Sequence, residues 1–323
     1  MNRRCLLGLV AGAGCRKAAR TALRVSVGAR ISMGPIYLAQ ERGYFREEGV
    51  DVALTVSRQS RDAFTMLAGG EFDAALFSMI AAVPNAIARG ARVRIVAGRD
   101  FLLPGCSENG SLYYRKAKYP KGLEEAAFWK GSRIAVAGDG LNNLFFIDEV
   151  MRVLGVDEGT VKIERMGFEE SMTAIAGGHI DMAIGGGRPG FLEGGLPSYL
   201  ARTDLVEKCV GKYQYSHILF GRGLLDGDVE TGAAFLRGYL RAAKGFAGGD
   251  TPRFIDDFAK EYRMDPALAR KGCRTNVSTT GEVVAADMDR WLRWAFAKGH
   301  IAQTMKAAQL VDNRFQRRAA GAA

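Results

Sequence analysis

Residues able to hold a small polar solute recur in one kind of place along this chain, just after a short apolar run and just before an apolar-periodic one. Arg30, Ser32, Met33 and Gly34 follow residues 23–28, Arg58 and Arg61 follow 50–56, Ser78 and Met79 follow 74–77, and Arg99 ends 93–98. Farther on, Asp139, Asn142 and Asn143 follow 132–138, Phe168 and Glu169 follow 161–166, and Gly186 and Arg188 follow 180–184. A short apolar run reads as a strand and a 3.6-period run as a helix. These residues therefore stand at helix N-termini, where free backbone N–H groups favour an anion. Arginine adds a charged planar fork, and serine and asparagine add neutral hydrogen bonds. Met33, Tyr37 and Phe168 offer apolar contact to a carbon skeleton. Asp100, Asp139 and Glu169 leave a cationic or zwitterionic solute open. The chemistry is capture: no nucleophile with a neighbouring base stands at any strand end, and no cofactor or metal is implied.

The elements that must carry these residues are duplicated. Gly69-Gly70-Glu71-Phe72-Asp73-Ala74 and Gly177-Gly178-His179-Ile180-Asp181-Met182 each end one apolar-periodic segment and begin an apolar run. Glycine takes the left-handed cap conformation readily, so each reads as a helix stopping and a buried strand starting. Upstream of both, the order is strand, loop, helix, strand, helix, which makes two β-α-β-α-β units. Such units predict mostly parallel sheets with helices on both faces, and ligands in these sheets sit beyond the carboxyl ends of the strands. Pro35 suits the first turn of its helix, Ser60 reads as an N-cap, residues 111–115 as a crossing strand and 215–221 as a return strand. Helices are expected at 233–246, 251–262, 266–271, 283–298 and from 301 onward, with Trp291 and Trp294 packed in the core. Asp287 and Asp289, two apart on a helix, do not face one another as a catalytic pair would.

Composition narrows the class. The chain has 323 residues, 48% hydrophobic and 25% charged, which suits two globular domains. No segment approaches the ~18 apolar residues of a membrane span. The net charge of +10 is concentrated at the ends, in Arg3, Arg4, Arg16, Lys17 and Arg20 and in Arg314, Arg317 and Arg318, which argues against a nucleic-acid partner. Arg3-Arg4, the apolar residues 5–13 and the small residues before Cys15 resemble an export signal with a lipoprotein-like processing site, although Gly12 stands where leucine is favoured. Cys5, Cys15, Cys106, Cys209 and Cys273 form no Cys-x-x-Cys pair, and three histidines are too few for a multi-histidine metal site.

Leu38-Ala39-x-x-x-Gly43-Tyr44-Phe45, Gly49-Val50-x-Val52, Leu67-x-x-Gly70-x-x-Asp73 and Lys130-Gly131-x-x-Ile134-Ala135 together resemble the periplasmic solute-binding proteins of nitrate/sulfonate/taurine-type ABC importers, including thiamine-pyrimidine-like members. The resemblance covers residues 23–220 and implies a two-lobed α/β fold of the type II periplasmic-binding-protein kind, each lobe a mostly parallel sheet, joined by two crossover strands. Residues 1–22 would be a leader, 23–110 with 216–323 the first lobe, and 111–215 the second. It further implies a monomer outside the cytoplasm, periplasmic or membrane-anchored only through an N-terminal lipid. Such a protein would close on a small anionic ligand and deliver it to the transmembrane subunits of a permease. The same fold carries enzymes, a desulfinase with a cysteine at the end of its first strand and pyrimidine-forming enzymes with a histidine and cysteine-rich site. Residues 29–34 hold no cysteine and no cysteine cluster exists elsewhere. A ligand-binding sensor is the remaining alternative.

Overall fold

The computed structural model describes residues 22–28, 30–57, 59–105, 110–137, 141–185, 195–272, 274 and 276–321. Strands β1 (Leu23–Val27), β2 (Val52–Val56), β3 (Ala74–Ser78) and β4 (Val93–Leu102) come first. They are followed by β5 (Ser111–Arg115), β6 (Arg133–Ala137), β7 (Lys162–Met166), β8 (Met182–Gly185), β9 (Leu200–Thr203) and β10 (Tyr213–Gly221). They form two five-stranded sheets, ordered β2-β1-β3-β10-β4 and β7-β6-β8-β5-β9. In each, the three strands of one β-α-β-α-β unit pair in parallel, and a strand arriving from the other lobe, β10 or β5, pairs antiparallel beside them. The fold is thus the two-lobed, mostly parallel α/β architecture that the pattern predicts.

The duplicated stretch has a physical cause. Gly70 and Gly178 both take left-handed backbone, at φ 83° and 76°, where their helices stop. The aspartate three residues on then closes the start of the neighbouring strand: Asp73 Oδ2 accepts from the Arg24 backbone N–H at 2.9 Å, and Asp181 Oδ2 from that of Arg133 at 3.0 Å. Both aspartates also bind a basic side chain, Arg24 for Asp73 and Lys118 with Arg115 for Asp181. The shared acidic residue is therefore a sheet lock at the amino end of the strands, opposite the carboxyl ends.

Burial follows the layers. One face of the first sheet packs Val25, Val27, Leu76 and Phe220 against Phe235, Tyr239 and Phe246 of the helix Val229–Ala247. Its other face belongs to a core that continues through Phe145, Phe146 and Ile147 of the second lobe to Trp291 and Leu292. The helix predicted at 283–298 is Ala285–Ala297 and the one predicted at 251–262 is Phe254–Glu261, while 266–271 is helical as Pro266–Lys271. Beyond residue 301 the structure departs from one long helix, because Val311 bridges to Ile95 of β4 and splits it into Ala307–Leu310 and Arg314–Ala319. Asp287 and Asp289 accept from the backbone N–H groups of Gln214 and Ala307, which accounts for both. No helix among the described residues is long and apolar enough to cross a membrane.

Candidate functional site

Among the described residues, four helices of eight residues or more begin at carboxyl ends of strands in the two units: Gly34–Glu41, Ser60–Gly69, Asn142–Leu154 and Phe168–Ala176. Their N-cap residues are Met33, Gln59, Leu141 and Gly167, and no side chain at these positions accepts a bond from its helix. The cap expected at Ser60 is thus one residue off, because Gln59 holds the extended conformation and Ser60 is already helical. Away from these strand ends, Asp228 and Asp265 do cap their helices, at 3.1 and 2.8 Å. Helix starts without an N-cap acceptor keep their donors and positive dipole end available to a guest.

The floor between the lobes is built on β10. Its ladder with β4 slips: Ser216 faces Asp100 and His217 faces Gly98, so Arg99 is an extra residue, and Gln214 faces Phe101, so Tyr215 is another. Bulges of this kind re-aim side chains. The Arg99 side chain turns beneath the loop after β1, where it donates to the Ser32 carbonyl at 3.1 Å and contacts the Met33 sulfur at 3.4 Å. It also donates to Ser216 Oγ at 3.0 and 2.6 Å and pairs with Asp100 at 2.5 Å. Arg99 and Asp100 are 2% and 1% exposed and form a buried ion pair in which the cation and the carboxylate neutralise each other. The Tyr215 carbonyl accepts from Met79 N–H at 3.3 Å and from Asn142 Nδ2 at 3.0 Å. That last bond joins the first turn of a second-lobe helix to the first sheet.

Ser32, Met33, Met79, Arg99 and Asn142 are therefore gathered around Tyr215 and Ser216, with Ser78 opposite Ser216 in the ladder. Gly34 begins its helix against Phe246, where a Cβ would lie 2.1 Å from the ring. Arg30 and Arg61 are exposed at the rim, and Asn143 follows Asn142 in its helix. Phe168 packs edge-on against Tyr113, and Glu169 is exposed beside it. Tyr37 stacks on Phe254 at 3.7 Å, a helix-to-helix contact. Arg58, Asp139, Gly186 and Arg188 lie outside the described residues, as do Cys106 and Cys273.

Residues that the pattern did not single out complete the floor. His217 is buried at 2% exposure, and its Nδ1 has no partner among the described residues. Burial, aided by the Arg99 charge, pushes its pKa down to about 3, so the imidazole is neutral. Tyr239, near Arg99 and Asp100, has a buried hydroxyl without a partner, and burial raises its pKa well above the ordinary phenol range. Strand periodicity could have marked His217 as inward-facing, but nothing in it signals a bulge. The half-buried Cys209 is a free thiol whose pKa burial raises, on the helix Leu205–Val210.

Residues 31–191 match the family model described as NMT1/THI5 like. The chain is 30% identical over 151 residues to 4-amino-5-hydroxymethyl-2-methylpyrimidine phosphate synthase THI13 of Saccharomyces cerevisiae, a match over 47% of this chain. It spans only 41% of that protein's length. The fold superposes on the periplasmic aliphatic sulphonate binding protein SsuA of Escherichia coli with a TM-score of 0.70, at 13% identity over 90% of this chain and 92% of that one. It superposes equally, at 0.70, on the ligand-binding component of an ABC-type import system from Staphylococcus aureus, at 11% identity over 93% and 99%. With its two sheets and its crossover strands the chain carries the two-lobed periplasmic-binding-protein fold, and just under half of it, residues 31–191, is similar to the NMT1/THI5 like family.

Proposed function

We propose that this chain is the extracytoplasmic solute-binding component of an ABC importer, a monomer that closes its lobes on a small anionic solute and releases it unaltered to permease subunits. The observation that carries this reading is the set of helix starts at the strand ends of both lobes, none of which has a side chain at its N-cap position accepting from the helix. Backbone donors at helix N-termini hold sulfonate, nitrate or carboxylate oxygens, and Arg30 and Arg61 at the rim attract the anion. Lobe closure would turn on the β4–β5 crossing and the return through β10. A thermal-shift screen of alkanesulfonates, carboxylates, nitrate and pyrimidines tests it. A genuine ligand at a hundredfold excess over its Kd raises stability by ~2.7 kcal/mol, and no shift with any compound would sink the reading.

The yeast relative's name favours a second reading, pyrimidine synthesis on the same fold. Mass spectrometry of a bound compound separates the two: recovery unchanged supports capture, and conversion supports catalysis.

A further inference from the structure

We propose that Asn142 reads a hydrogen-bond donor on the solute, so that the cleft prefers an anion that also bears an N–H or O–H group to an isosteric anion that bears none. This rests on the solute-capture reading above. Asn142 is the first residue of a 13-residue helix and is 5% exposed. Its orientation is fixed by chemistry, since only the amide nitrogen can donate to the Tyr215 carbonyl 3.0 Å away. The carbonyl end, Oδ1, is then the one that must find a donor, and it has no partner among the described residues. Leaving a buried acceptor unmade costs ~1–3 kcal/mol, and native proteins keep few of them.

The described residues around it do not fill this need. Arg99 spends its donors on Ser32, Met33, Ser216 and Asp100. The Met79 N–H is already given to the same Tyr215 carbonyl that Asn142 holds. The nearby helix starts offer donors to the acceptor end of a guest, whereas Asn142 offers an acceptor. Complementarity to both requires a bifunctional solute: an anionic or acceptor group at the helix N-termini and a donor at Oδ1. Nitrate and simple alkanesulfonates have nothing to give Oδ1. A site that demands a donor rejects analogues lacking it strongly, because its own polar group stays buried and unpaired. The Nδ2 bond to the first sheet also makes Asn142 a tie between the lobes, so the same side chain would register both guest and closure.

Calorimetric titration with matched amino and methyl compounds tests this: 2-aminoethanesulfonate against 1-propanesulfonate, and 4-aminobenzoate against 4-methylbenzoate. At least one amino member is expected to bind about tenfold or more tightly than its methyl isostere. Asn142→Leu should erase that preference, bringing the two Kd values within each pair to within about threefold of one another whatever their absolute size, and Asn142→Gln, which keeps both an amide donor and an acceptor, should retain part of it. Circular dichroism and the thermal midpoint show that both variants fold. Equal affinities within both pairs, or a preference that survives Asn142→Leu, would overturn the proposal while leaving solute capture standing. Absence of binding by all four compounds, together with a blank thermal-shift screen, would instead remove the capture reading and this proposal with it.

Discussion

The indole N–H of Trp294 donates to Asp148 Oδ2 at 2.9 Å, which ties the C-terminal helix Ala285–Ala297 to the second-lobe helix Asn142–Leu154. Lys298 pairs with the same aspartate at 3.1 Å and with Glu158, and Arg290 pairs with Glu149. The helix is also anchored to the first sheet, where Asp287 accepts from the Gln214 backbone at 2.8 Å. It therefore bridges the lobes.

Trp294→Phe combined with Lys298→Ala should loosen that bridge, at a cost of ~1–3 kcal/mol for the buried carboxylate left short of donors. Small-angle scattering of the ligand-free variant is expected to show a larger radius of gyration than the parent. An unchanged radius would mean that the bridge does not restrain opening.

Arg99→Met should destabilise by ~3–5 kcal/mol, because the buried Asp100 carboxylate loses the guanidinium that pairs with it. Adding Asp100→Asn should recover a large part of that loss in urea denaturation, since the pair's value lies mostly in mutual neutralisation. A single variant as stable as the parent would show that Arg99 is not needed to hold the loop after β1.

His217 gives stability a definite pH dependence. Its folded pKa, about 3, lies below the unfolded value of 6.5. Between those values the unfolded chain takes up a proton that the folded chain refuses, so stability falls as pH drops from about 6.5 toward 3, by at most ~1.4 kcal/mol per pH unit from this group. His217→Gln should flatten that part of the profile in denaturation midpoints collected across the range. A slope identical to the parent's would mean the imidazole titrates normally.

Arg30→Gln and Arg61→Gln act at the exposed rim, so each is expected to slow capture of an anionic solute by about two- to tenfold at low salt and by much less at high salt. Stopped-flow association rates at two ionic strengths check this. A loss independent of salt would place the side chain in direct, dry contact with the solute.

Much of this architecture could be read from residue order. Gly70 and Gly178 marked two helix stops, and the β-α-β-α-β spacing around them gave the parallel strands and their shared ends. Residues 111–115 form the predicted crossing strand as β5. What stayed hidden depends on long-range register. Arg99 reads in sequence as a strand-end cation, and only the slipped ladder against β10 turns it beneath Ser32 into an ion pair. Ser216 and Tyr215 look like ordinary strand residues until β3 and Asn142 arrive from distant parts of the chain. The Trp294–Asp148 bond has the same origin: a tryptophan that packs in the core also has a polar edge, and its partner stands 146 residues away.

The position of β10 has a consequence for how the molecule is assembled. It lies between β3 and β4, so those two strands, both made within the first third of the chain, have no common neighbour until residues 213–221 emerge from the ribosome. The second sheet draws all five of its strands from residues 111–203 and can be finished earlier. The half of the protein that starts first is the half that must wait, and it is completed only when the other has been threaded through.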